Sequence, residues 1–459
     1  MSDSWSNRSK STVSEDASAP SMQCRIYDRI PVQDKNAKSY FYCLELSAGN
    51  TFDFGFCRKE NVPSLLKDVL TIGTTRVVKG AYHDLMIPTV PSNLWVRQSR
   101  KYDPSHIIMW LENSIVLTEE YKDAITRLRR MGMRFAIRID AMGDMAKTPE
   151  MLNNLDYLLV DNSKASEFFT VIQGLRQKNP SLKSIGFKRE VSIFSFSKAE
   201  AKNFDLVLGC VQNDLLKYET FRPKWQHEML RTFAQLYSGI YDVKEVGNLV
   251  SHYPLMATAT KGMMGSKPLT NLTIKRNNAA TLNETPGLTQ FDIRNYLAIS
   301  VGYNLFTLTE KQVCEQNHKE FDLNDVNYEP FVASILFGKI VDLMSQEGCD
   351  DVSAPLGFMT GFLRYAHVFL HDDEKRTFEE FPLSAVAECY NGGGGQLGTI
   401  IRFNKLMAEH KVDDALDFEG GQAIAKEQFY SYISHAFAWT DAVIRAIGII
   451  KDPKNDDFD

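Results

Sequence analysis

His367 and His371 are four residues apart, the spacing in this chain that comes nearest to a metal-binding pattern. Positions i and i+4 share one face of an α-helix, so two imidazoles there can chelate zinc, and a protease of this type adds a glutamate after the first histidine. Val368 stands in that place, so the general base is missing and the surface of an amphipathic helix is the expected setting for both histidines. His371 is followed by Asp372, but this pair lies past a helical run and beside Asp373 and Glu374, where it reads as a C-terminal cap. His83-Asp84, close to Pro88, reads as loop. Gly393, Gly395 and Gly398 have the spacing of the dinucleotide fingerprint, which cradles a pyrophosphate only where it joins a strand to a helix. A helical pattern precedes them, and the run Gly392 to Gly395 suits a tight turn between helices, where positive φ carries no steric penalty. No GxSxG nucleophile elbow occurs. The 7 cysteines are scattered with no CxxC pair, which predicts reduced thiols, neither a disulfide framework nor a zinc site.

The elements that must position such groups change character along the chain. Between residues 24 and 214, short apolar or β-branched runs alternate with amphipathic stretches. Strands are expected at 39–46, 75–81, 106–111, 134–139, 157–160, 184–188 and 206–211. The clearest helix spans 118–131: Thr118 opens it, Glu119 and Glu120 suit the dipole of its first turn, and Gly132 stops it. Strands buried on both faces and alternating with helices imply βα units and a parallel sheet, and this many fit a closed barrel better than an open sheet. Residues 215–225, with Arg222-Pro223-Lys224, read as a connector. Beyond it helical periodicity dominates, at 226–239, 242–251, 289–301, 330–346, 355–371, 383–390, 397–410, 423–433 and 434–450. The fold class is therefore α/β plus all-α, a TIM-like βα barrel over 24–214 followed by a helical domain over 226–450. Residues 1–23, rich in Ser and Asp, read as a disordered leader, and 451–459 as an acidic tail.

Bulk properties exclude several classes. At 459 residues, two globular bodies are the natural expectation. A net charge of −6 argues against a non-specific nucleic-acid binder, which carries a basic face. No apolar run approaches the roughly 20 residues of a membrane span. The aromatic residues Phe358, Phe362, Tyr365 and Phe369, and Tyr430, Tyr432, Phe437 and Trp439, recur where helices would pack and read as core.

Many weak matches in the right order give the chain a family resemblance. Met109 to Glu112, Leu128 to Gly143, Leu155 to Asp161 and Asn203 to Gly209 resemble an EAL phosphodiesterase barrel. Gly357 to Leu363, Phe381 to Ser384 and the helix through Ala438-Trp439 resemble an HDOD domain. Hydrolysis of a cyclic dinucleotide by an EAL barrel needs two metal ions held by carboxylates at the strand ends. By the resemblance, the metal-binding Glu of the first motif is replaced by Tyr42, with Glu45 on the other face of the strand. One carboxylate, Asp140, stands where two are needed, beside Arg138. The lysine of the Lys-x-Asp strand becomes Leu159 while Asp161 remains, a later acidic motif becomes Arg189 to Ser192, and the Gln of Gln-Gly becomes Leu208. Glu112, Asp140 and Asp161 survive as residual barrel-mouth acids. In the helical half, Arg364-Tyr365 occupies the place of the HD family's His-Asp pair.

The resemblance thus implies a non-catalytic bacterial signalling adaptor in or near cyclic di-GMP signalling. No catalytic residue, metal or cofactor is expected. The expected partners are proteins; cyclic di-GMP is expected to bind weakly or not at all, and self-association into a homo-oligomer stays open. The expected location is cytoplasmic. The alternative is a cyclic-dinucleotide receptor without turnover. The junction between the halves is the first candidate for function, with the barrel mouth facing the helices across an apolar interface.

Overall fold

The computed structural model describes residues 25–46, 57, 59–72, 84–111, 118–142, 152–188, 196–211, 224–238, 243–267, 269, 290–349, 353–371, 377, 383–408 and 426–449. Eight strands close into one barrel in sequence order: β1 (Ile26–Gln33), β2 (Ser39–Leu46), β3 (Asp84–Pro88), β4 (Ile107–Leu111), β5 (Arg134–Arg138), β6 (Tyr157–Asp161), β7 (Lys183–Phe187) and β8 (Leu206–Leu208). From β2 to β8 each neighbouring pair is parallel. β1 runs antiparallel to both β2 and β8. An all-parallel (β/α)8 barrel would not contain such a strand. Sequence reading missed β1 because Asp28, Arg29 and Pro31 break its alternation, and it read Asp84, the first residue of β3, as loop; the expected strand at 75–81 lies outside the described residues.

A turn makes β1 possible. Asp34 Oδ1 accepts from the amides of Asn36 at 2.8 Å and Lys38 at 3.0 Å, and Ala37 takes the left-handed φ of 63°. Because a hairpin joins β1 to β2, no crossover helix lies between them to cover their outer faces. Elsewhere crossovers do so: α1 (Val62–Ile72) follows β2, α2 (Asn93–Gln98) follows β3, α3 (Glu119–Arg130) follows β4, α4 (Ala165–Lys178) follows β6 and α5 (Lys198–Ala201) follows β7. α3 forms as its sequence predicts: the Thr118 hydroxyl accepts from the Tyr121 amide at 3.4 Å, and Gly132 leaves the helix at φ 94°.

Alternation sorts the strand residues into two cores. Ile30, Val32, Phe41, Cys43, Met86, Ile108, Trp110, Leu159, Ile185 and Leu208 belong to the cluster that fills the lumen. Tyr42, Leu44 and Leu46 belong to the outer cluster with α1, and that cluster runs on without a break into the helical half.

From Lys224 onward the described residues form helices and turns: α6 (Lys224–Tyr237), α7 (Val243–His252), α8 (Pro254–Gly265), α9 (Gln290–Gln316), α10 (Glu329–Gly348), α11 (Gly357–Phe362), α12 (Ala366–Phe369), α13 (Ser384–Tyr390), α14 (Gly395–Ala408) and α15 (Lys426–Ala446). Phe233, Phe306, Phe331, Phe358, Phe362 and Trp439 centre their core, three of which, Phe358, Phe362 and Trp439, the aromatic pattern had picked out. Three expectations change. The pattern at 355–371 breaks into α11 and α12 with 3-10 turns around them, the segments 423–433 and 434–450 join in the continuous α15, and α8 forms where no helix was expected, between the segments at 242–251 and 289–301. α13 and α14 meet through the glycine run, where Gly392, Gly394 and Gly395 all have positive φ, as a tight helix–helix turn requires.

α10 and α15 lie against β1, β2 and α1 and take the place of the absent crossover layer. Contact is therefore with the side wall of the barrel, where the sequence had suggested the mouth.

Candidate functional site: the barrel mouth and the junction cleft

At the C-terminal end of the strands, the usual place for chemistry in barrels, alternation brings Arg138 and Asp161 to the lumen side, each about 7% exposed. Asp140 lies just beyond β5 in the 3-10 turn Ile139–Ala141. Its two carboxylate oxygens take a bidentate pair from Arg138, Nε to Oδ1 at 3.0 Å and Nη2 to Oδ2 at 2.5 Å. The same guanidinium packs over the Phe187 ring, 5.4 Å from its centroid. Asp161 ends β6 and caps the next turn, its Oδ1 accepting from the Ser163 amide at 3.0 Å and hydroxyl at 2.7 Å. Leu159 and Leu208 point into the packed lumen. Glu112 and residues 189–192 lie outside the described residues. Beyond β7, Lys188 and the Ser197 cap hold the Glu200 carboxyl down at about 2, and Asn162 donates to the same group at 3.2 Å. These acids are thus tied to cations or to turns of their own backbone. Among the described residues, no group of three or more His, Cys, Asp and Glu side chains is placed to hold a metal ion.

The histidine pair is separated. His371 follows α12 in the left-handed conformation, φ 52°, and is buried with Nε2 2.6 Å from Glu310 Oε1, so it is not on a helix surface with His367. Its amide bonds back to the carbonyl of Val368, as a C-terminal cap should.

The richest polar cluster is one that sequence reading did not name. Tyr42 faces away from the lumen, so it does not stand where the resemblance put a metal-binding Glu, and alternation gives the lumen side to buried Glu45, with Phe41 and Cys43, instead. The Tyr42 hydroxyl donates to Glu329 Oε1 at 2.8 Å, from the barrel to the first turn of α10. Ser39 Oγ donates to the same oxygen at 2.7 Å. Gln33, fully buried, donates to Asn327 Oδ1 at 3.0 Å and Ser39 Oγ at 3.2 Å, and accepts from the Val211 amide at 2.9 Å. Arg29 pairs with Asp441 of α15 at 2.9 Å, with its guanidinium over the rings of Tyr42 and Phe437. Burial pushes the Glu329 carboxyl above its usual range, against the opposing pull of Ser39, Tyr42 and Arg29. Burial, then the charge of Glu329, pushes the Tyr42 phenol well above its usual value, so it stays a donor.

Beside this cluster a cavity of about 60 Å³ opens between β1 and helices α10, α14 and α15. A sequence signal did exist: Glu329 stands before Pro330 at the head of an apolar run, a costly place for a carboxylate without a partner. No model of a known protein family matches this chain, and no curated protein matches it.

Proposed function

We propose that this chain is a non-catalytic signalling adaptor, acting through protein–protein contacts in or near cyclic di-GMP signalling. The reading takes the barrel as an EAL-like one that has lost turnover and the helices as HDOD-like. The observation that carries it is the engagement of the mouth carboxylates. A binuclear site needs carboxylates free to coordinate, whereas Asp140 is clamped by Arg138 and Asp161 caps its own turn. A cation would have to displace a bidentate guanidinium, among the strongest pairings a carboxylate makes. The continuous core between barrel and helices supports the adaptor part, since it presents both to a partner as one body.

Purified protein incubated with cyclic di-GMP and Mg²⁺ or Mn²⁺ is expected to release no product above background. Turnover that disappears in Asp140→Ala would refute the reading. Calorimetry is expected to find no binding tighter than about 10 μM, and a stronger signal would put the receptor function first.

A further inference from the structure

A net charge of −6 conceals an uneven distribution. In a βα barrel each crossover helix runs back against its strand, so helix ends and the turns after them gather at the N-terminal ends of the strands. There Arg97, Arg100 and Lys101 precede β4, Arg130 precedes β5, and Lys178 precedes β7, which Lys183 opens. All are exposed, and none has a carboxylate partner among the described residues. Carboxylates at this end are matched by other cations: Asp84 by Arg134, Asp156 by Arg129 at 2.5 Å, and Asp205 by Arg176. Asp103 accepts from the Ser105 amide at 3.0 Å and hydroxyl at 2.6 Å. A surplus of positive charge is left. Helix dipoles account for cations in last turns, as at Arg97, Arg130 and Lys178, but not for Arg100, Lys101 and Lys183, which lie beyond the α-helices. Exposed apolar side chains share this end. Met131, 41% exposed, follows Arg130, and Tyr40, 45% exposed, has its ring centroid 5.8 Å from the Lys183 ammonium. The turns before β4 and β5 adjoin, since a Cβ at Gly132 would lie 3.2 Å from Ser105 Cβ.

We propose that the N-terminal end of the barrel docks on an anionic lipid surface. Its cations come from several turns that stop at one end of the barrel, a spread that suits a flat sheet of negative charge. Each cation beside an anionic bilayer is worth roughly 5-fold in binding. Tyr40 and Met131 add the apolar part, since aromatic rings and apolar chains settle at the headgroup level. The helical half leaves this end uncovered, because α10 and α15 lie on the side wall at β1 and β2. Docking in this way turns the C-terminal mouth of the barrel away from the bilayer.

The test mixes the full chain with vesicles of phosphatidylcholine containing about one-third phosphatidylserine, or of phosphatidylcholine alone, in about 0.15 M salt, and measures bound protein by sedimentation. Binding should need phosphatidylserine and fall at least about 10-fold in about 0.5 M salt. The double variant Arg100→Glu/Lys101→Glu should weaken it about 25-fold or more. Arg130→Gln/Lys183→Gln, from other turns, should cost about 25-fold and repeats the test if the first pair folds poorly. Lys224→Glu/Lys311→Glu changes the net charge as much as the first pair, at sites 91% and 54% exposed in the helical half, and should cost less than about 3-fold. A loss as large in this last pair as in the first would overturn the proposal, as would equal binding to phosphatidylcholine alone or none to the anionic vesicles. A duplex DNA oligonucleotide that strips the protein from the vesicles at equal phosphate concentration would make this a nucleic-acid surface and overturn it too.

Discussion

Glu329 shows how a buried acid can be kept and what it does to stability. Burial favours its neutral form, and two hydroxyl donors with one nearby guanidinium recover only part of the lost hydration. The native carboxyl therefore holds its proton more tightly than the unfolded chain does. Its contribution is complete below the ordinary glutamate value of about 4.3 and declines as pH rises through the raised native value. Glu329→Gln mimics the protonated form at every pH. Its melting temperature, relative to the parent, should rise as pH increases from about 4.3 upward, because only the parent must bury a new charge. Thermal unfolding of both proteins across that range checks the sign, and a gap that narrows with pH would contradict it. Asp140 and Asp161 could be located from sequence because they follow strands whose period is plain. Glu329 could not be paired from sequence, because its partners Ser39 and Tyr42 lie 290 and 287 residues away.

At the level of elements, α10 packs on α11 with little room between their backbones. A Cβ at Gly361 would sit 2.8 Å from the Phe337 carbonyl oxygen and 2.9 Å from Gly338 Cα, both backbone atoms that cannot swing aside. Gly361→Ala should therefore destabilise by about 1–3 kcal/mol, through a backbone shift between the helices. Gly174 in α4 is the opposite case: nothing lies within 4 Å of the place a Cβ would take there, so Gly174→Ala should stabilise by up to about 1 kcal/mol. Chemical denaturation of the two variants should give shifts of opposite sign. Strands β2 and β4 to β8 were legible because runs such as Ile107–Leu111 are apolar throughout, as burial on both faces demands. β1 was not legible, since its outer residues, Arg29 among them, face helices that the local sequence does not reveal. The break between α11 and α12 was hidden because helical periodicity survives a short 3-10 turn.

Across the whole molecule, the helical half serves as the outer layer of one side of the barrel. Phe337, Ile340, Phe429 and Phe437 share a cluster with Leu44, Leu46 and Leu65, so the core crosses the junction. Separating the halves at Phe221 should expose this apolar surface on both. Each fragment is expected to melt at a lower temperature than the intact chain, or to aggregate, as measured by calorimetry and light scattering. Fragments as stable as the parent would show that the halves are independent. The change from alternating strands to helical period was readable at the level of composition and spacing. The docking of one half on the other was not, because it depends on contacts such as Arg29 to Asp441, 412 residues apart. That separation also sets a clock for biosynthesis. The β1–β2 hairpin leaves the ribosome before α15, which covers it, with 412 residues between Arg29 and its partner Asp441. At about 5–20 residues per second, the outer face of the hairpin waits roughly 20–80 s for its cover. During that time it offers an apolar strand surface to chaperones or to other nascent chains.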